Sequence, residues 1–122
     1  MKKNYKNYTH NNPYEIGDIV YTSWGYSMTI VQFYEVTRVT TCKVGLRELK
    51  QKEIYDGFLS GTTMPLIGEY VPYDGSPYSV RKEQLFKVRE NGTILIPDYP
   101  GHSYCAHARK WDGEPRYFNH CD

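Results

Sequence analysis

Thr29-Ile30-Val31-Gln32-Phe33-Tyr34-Glu35-Val36-Thr37-Arg38-Val39-Thr40 is the stretch that decides how this chain is read. β-Branched and aromatic residues dominate it, and they fit a pleated, half-buried surface better than a helix. The alternation is imperfect: Val31 and Phe33 fall on one face, Tyr34 and Val36 on the other. That pattern predicts a long strand with a bulge or with burial on both faces.

Upstream, Gly17-Asp18 opens a first strand over 19–23, and Gly25 supplies the bend that leads into the second. Downstream, Thr40-Thr41 reads as a turn. Residues 42–51 then form a third strand, with Val44 and Leu46 facing one way and Lys43, Gly45 and Arg47 the other. These strands make a local meander.

Residues 52–78 are punctuated by Gly57, Gly61, Pro65, Gly68, Pro72, Gly75 and Pro77. They read as a long, partly ordered loop with short strands near 64–67 and 69–71, and a loop of that length is usually functional. Order returns at 79–88. Asn91-Gly92 is a strong hairpin signal and should pair 85–88 with 93–96. A last hairpin of 103–107 and 116–119 would close around Trp111-Asp112-Gly113-Glu114-Pro115.

The expected fold is mainly β: a small curled antiparallel sheet or SH3-like barrel with a long central loop, which hides its edges by curling. Residues 1–14, polar and rich in Asn, Lys and Tyr, read as a flexible arm, and 15–122 as one β-rich domain.

Composition agrees. The chain has 122 residues, enough for one domain with a real core. Thirteen of them are Tyr, while Leu and Ala, which favour helices, are scarce. A net charge of +1 implies no general electrostatic capture of nucleic acid. Three cysteines, an odd number, with no apolar run behind Lys2 and Lys3 argue against a secreted disulfide framework. No stretch is apolar enough to span a bilayer. A cytoplasmic location in a host cell, without membrane attachment, is the expectation.

Gly17-Asp18-Ile19-Val20-Tyr21-Thr22-Ser23-Trp24-Gly25-Tyr26, Thr29, Phe33-Tyr34-Glu35-Val36, Val44-Gly45-Leu46-Arg47-Glu48-Leu49 and Trp111-Asp112-Gly113-Glu114-Pro115-Arg116-Tyr117 together carry a resemblance. The chain resembles a family of small uncharacterised proteins encoded by phages and other mobile elements. Arg81-Lys82 falls where that family often has an Arg-Lys pair. Thr22 stands where Ser is usual, and Ser27-Met28 where a more polar pair is expected. The resemblance implies a phage or mobile-element accessory protein, a class in which many members antagonise host defence.

Three clusters are candidates for chemistry. Trp24, Tyr26 and Tyr34 could form a platform on which a base or extended peptide stacks, with Thr29, Gln32 and Arg47 reading its edges; the structural alternative is that the rings cover the end of a barrel. Lys43, Arg47, Lys50 and Lys52, with Arg81, Lys82, Lys87, Arg89, Arg109 and Lys110, could form a basic stripe, although interleaved Glu48, Glu53, Glu83 and Glu90 also fit a mixed solvated surface. His102, Cys105, His107, His120 and Cys121 offer zinc-type ligands, but their spacing matches no common zinc module. A Cys105–His107 pair on one strand face lacks an orienting group or oxyanion loop, so no catalytic constellation is complete.

The reading is therefore a binding protein with no cofactor. It would inhibit a host defence component in the manner of an anti-CRISPR protein, by occupying the surface of a host protein or protein–nucleic-acid complex. The binding residues would be Trp24, Tyr26, Thr29, Tyr34, Arg47, Arg81 and Lys82. The alternatives are a nucleic-acid-binding module on the aromatic and basic surface, and a protein that sequesters a small nucleotide signal. Self-association is a further expectation from the Tyr content.

Overall fold

In the computed structural model the described residues are 12–24, 29–72, 83–97 and 105–120. They form eight strands: β1 Ile19–Trp24, β2 Ile30–Val39, β3 Lys43–Gly57, β4 Ser60–Tyr70, β5 Gln84–Lys87, β6 Ile94–Pro97, β7 Cys105–Lys110 and β8 Arg116–Asn119. All pairings are antiparallel, in the order β6-β7-β1-β2-β3-β4-β8, with β5 beside β3. The sheet is not closed, but it curls until Thr29 and Asn119 exchange two backbone hydrogen bonds of 2.8 and 2.9 Å. The mainly β, curled antiparallel reading is the observed fold. Among the described residues there is no helix, and so none long and apolar enough to cross a membrane.

The split pattern of β2 is the key to the packing. Tyr34 and Val36 point into one core with Val20, Val44, Leu46, Val88, Ile94, Ile96 and Ala108. Val31 and Phe33 point into a second core with Leu49 and Phe118, against which Tyr21, Tyr70 and Trp111 pack. The central strands are thus buried on both faces, as the broken alternation predicts. The expected irregularity is also present, as a register shift between Val36 and Arg38.

Four expectations need correction. Most of the supposed loop over 52–78 is strand: β3 runs on to Gly57, turns at Phe58-Leu59 and returns as β4. Gly57, Gly61 and Gly68, which suggested a loop, lie in this hairpin, and Gly75 lies outside the described residues. A Cβ on Gly61 would stand 1.9 Å from the Ile54 carbonyl oxygen, so only glycine allows β3 and β4 to meet there. Gly68, at φ +83°, lies in the stretch of β4 that loops out between the Leu49–Tyr70 and Gln51–Pro65 pairs.

The Asn91-Gly92 turn is real, with Gly92 at φ +87°. Its flanks, however, share only a Val88–Ile94 bridge; β5 pairs with β3 and β6 with β7. Among the described residues the last hairpin does not form either. β7 lies between β6 and β1, while β8 pairs with β4. Finally, the supposed arm is packed from Asn12 onward. The Asn12 amide donates to the carbonyls of Thr40 and Lys43, and Tyr14 is buried with its hydroxyl donating to the Gly92 carbonyl.

Candidate functional site

The Gly17-Asp18 and Trp111–Tyr117 segments make contacts within the fold. Gly17, at φ +99°, donates its amide to the Val36 carbonyl at 2.8 Å, and Asp18 Oδ2 accepts from the Glu15 amide at 2.9 Å. Lys110 Nζ then reaches Asp18 at 3.6 Å and the Pro13 carbonyl at 3.0 Å.

The Trp111–Tyr117 segment combines internal bonds with packing on β1 and β2. Trp111 sits edge-on to Phe33, its ring centroid 5.7 Å away, and donates its Nε1–H to the Glu114 carbonyl at 2.7 Å. Asp112 accepts from the Glu114 amide at 3.1 Å and pairs with Arg116 at 2.7 Å. Those contacts, the Glu114 amide foremost, hold the Asp112 carboxyl below its ordinary pKa. Arg116 in turn covers the Tyr21 ring at 4.5 Å.

The expected aromatic platform does not assemble from the described residues. Tyr34 is only 3% exposed and belongs to the first core. Its hydroxyl lies 3.3 Å from Gln32 Oε1, and burial, reinforced by the Glu48 charge, pushes its pKa far up. It is a core residue, not a stacking surface. Trp24 ends β1 opposite Ile30, and Thr29 is the residue bridged to Asn119.

Arg47 lies elsewhere, opposite Glu35 and so about 17 Å along β2 from Ile30 at ordinary strand rise. There its guanidinium stacks over Tyr70 at 4.2 Å, and the Tyr70 hydroxyl donates to Glu35 at 2.6 Å. That bond raises the Tyr70 pKa and fastens β4 to β2. Tyr26, Arg81, Lys82, His102 and Cys121 lie outside the described residues.

The zinc-type cluster loses the hairpin that was to gather it. His107 sits on β7 opposite Leu95, and Cys105 starts the same strand opposite Pro97. His120 instead follows β8, packs on Phe118 at 4.8 Å and donates its amide to the Leu59 carbonyl at 2.7 Å. Among the described residues no group of three His, Cys, Asp or Glu side chains could hold a metal ion.

The basic stripe is partly assembled. Lys43 stands directly opposite Lys87 in the β3–β5 ladder. Lys87 and Arg89 also line an open cavity of about 710 Å³ with Cys42 and Asn91.

No protein family, curated protein or solved structure matches the chain.

The surface that reading the sequence missed is the outer half of the β3–β4 hairpin. Every residue from Lys52 to Leu59 is exposed, including the apolar Ile54, Tyr55, Phe58 and Leu59. Cross-strand register places Ile54, Thr62 and Tyr117 on one face, with Met64 opposite Lys52 on the same side. The result is an apolar stripe over three strands that ends in Phe58, which is 82% exposed.

The turn itself is strained: Leu59 has φ +59°, in the left-handed region that a branched side chain avoids. The backbone bond from His120 to the Leu59 carbonyl holds it there. A signal was present in the sequence, because Gly57-Phe58-Leu59-Ser60-Gly61 puts two bulky apolar residues between turn-forming ones.

Proposed function

We propose that this chain is a non-enzymatic binding protein that blocks a host defence component, using the outer half of the β3–β4 hairpin as its contact surface. The observation that carries the reading is the exposed apolar stripe of Ile54, Met64, Tyr117 and Phe58, ending at a turn whose backbone is strained at Leu59. Contiguous exposed apolar surface marks interaction sites more often than stray exposure does. Backbone strain held in place by neighbouring structure clusters at functional segments. Aromatic side chains on a rigid strand pair give large contact area at low entropy cost. The class of target, a host defence component of protein or protein–nucleic-acid nature in the host cytoplasm, rests on the resemblance to phage and mobile-element proteins.

The test is affinity capture from host lysate with the wild-type chain and with a Phe58→Ser/Tyr117→Ser variant whose melting temperature matches it. One stoichiometric protein, retained after nuclease treatment and lost with the variant, is the expected result. Capture that ignores the variant, or no capture, overturns the reading.

A second reading, direct binding of nucleic acid, is favoured by one feature. Lys43 and Lys87 face each other across a ladder where like charges are mutually destabilising, and Arg89 stands by the same cavity. A phosphate would relieve that repulsion. Under this reading, affinity for single- or double-stranded DNA falls steeply with salt, and Lys43→Glu/Lys87→Glu flattens the slope.

A further inference from the structure

β3 changes its company half-way along. Its ladder with β2 ends at Phe33–Leu49. The Gln51 side chain then takes over, donating to the Val31 carbonyl and to Thr63 Oγ1, both at 3.0 Å. From Lys52 to Gly57 the strand pairs with β4 on one side, and among the described residues nothing pairs with its other side.

Among the described residues no backbone bond is made to that side. The Glu48 carbonyl accepts from Val71 on the β4 side, and the Ile54 carbonyl crowds Gly61 of β4. Even-numbered carbonyls therefore face β4. Strand alternation turns the amides and carbonyls of Glu53 and Tyr55 to the open side. An exposed strand edge with apolar residues at its centre is a template for another strand.

We propose that this edge pairs antiparallel with the same edge of a second copy of the chain, with Ile54 on the two-fold axis. Glu53 of each copy then exchanges both backbone bonds with Tyr55 of the other, on the order of four hydrogen bonds in all. The two Ile54 side chains meet in the closer, non-hydrogen-bonded type of pair.

Charge favours this register over the two centred earlier on the strand. It sets Lys52 of each copy opposite Asp56 of the other, twice over. Centring the pair on Lys52 would set Lys52 against Lys52, and centring it on Glu53 would set Glu53 against Glu53. Because Ile54 shares a face with Thr62 and Tyr117, the dimer also joins two apolar stripes into one. An isologous contact of this kind closes on itself and does not propagate into a filament.

The inference is independent of the binding reading, since it is measured on the purified chain alone. Sedimentation velocity over a concentration series is expected to give a monomer–dimer equilibrium. Lys52→Asp and Asp56→Lys, both at exposed positions, are each expected to weaken the dimer by about tenfold or more, because each puts like charges opposite twice. An equimolar mixture of the two variants restores both attractions and is expected to give a mixed dimer that neither forms alone. A chain that stays monomeric, a dimer indifferent to both substitutions, or two variants that fail to combine would each overturn the proposal.

Discussion

The two halves of β3 belong to one continuous strand and have opposite environments. From Lys43 to Leu49 it lies between β2 and, over Lys43–Leu46, β5, with Val44, Leu46 and Leu49 inside the two cores. From Lys52 to Gly57 every side chain is exposed, although Ile54 and Tyr55 would suit an interior. The first half shows what holds this fold together. The second shows where apolar surface is kept largely outside the cores, with Tyr55 touching them only edge-on at Phe118.

The largest expected effect lies in the buried half. Phe33→Ala, at a side chain with no exposure packed on Trp111 and Tyr21, should cost about 3–5 kcal/mol in a denaturant titration, a large share of the stability of an ordinary domain. Ile54→Ala should stay within about 0.5 kcal/mol in the same denaturant titration, and if it does not, the contrast fails.

Next comes Gly61→Ala. Its Cβ would meet the Ile54 carbonyl, a backbone atom that cannot swing aside, at a cost of about 1–3 kcal/mol. Hydrogen exchange should show protection lost over 52–65 and kept in β1 and β2.

Leu59→Gly should act in the opposite direction. Relief of the left-handed leucine, about 1–2 kcal/mol, outweighs the added chain entropy of glycine. Melting should therefore rise slightly while partner capture weakens.

The smallest effect is the pH response of the Trp111 turn. The Asp112 pKa is lowered in the folded chain, so its stabilisation is fully present at neutral pH and is lost as pH falls through that lowered value. Near-ultraviolet circular dichroism should report a change below about pH 4 that Asp112→Asn abolishes.

The same contrast explains what could be read from the sequence. The inner strands were legible because burial leaves a record: Val31 and Phe33 against Tyr34 and Val36 told of two faces, and the structure fills both. The outer hairpin leaves no such record. Every residue of 52–57 is exposed, Tyr55 included although its ring stands edge-on to Phe118, so there is no alternation to detect, and Gly57, Gly61 and Pro65 looked like chain breakers. Pro65 is tolerated because β8 pairs with β4 only over Ser60 to Thr63, so its missing N–H interrupts no bond to β8.

The pairing of β8 with β4, and of β7 with β1 and β6, was not legible. Those partners are set by curling of the whole sheet, and the local sequence around Trp111 fits a hairpin equally well. Tyr34 was misplaced although it shares a face with the buried Val36, because a tyrosine suits a stacking platform and a core equally well. Arg47 was read as a binding residue beside the aromatic platform; in the structure it stacks on Tyr70 at the junction of β2, β3 and β4.

Mechanically, β3 is a beam clamped at one end. Its free portion, about 20 Å at ordinary strand rise, is braced by β4, by the Tyr55–Phe118 ring contact and by the backbone bond from His120 to the turn. A load applied at Phe58 bends that portion about Gln51, whose side chain ties the pivot to β2 and β4. Stiffness at the tip is therefore governed by a residue far from it, and softening the pivot would let the prong sweep a wider arc without loosening the body that carries it.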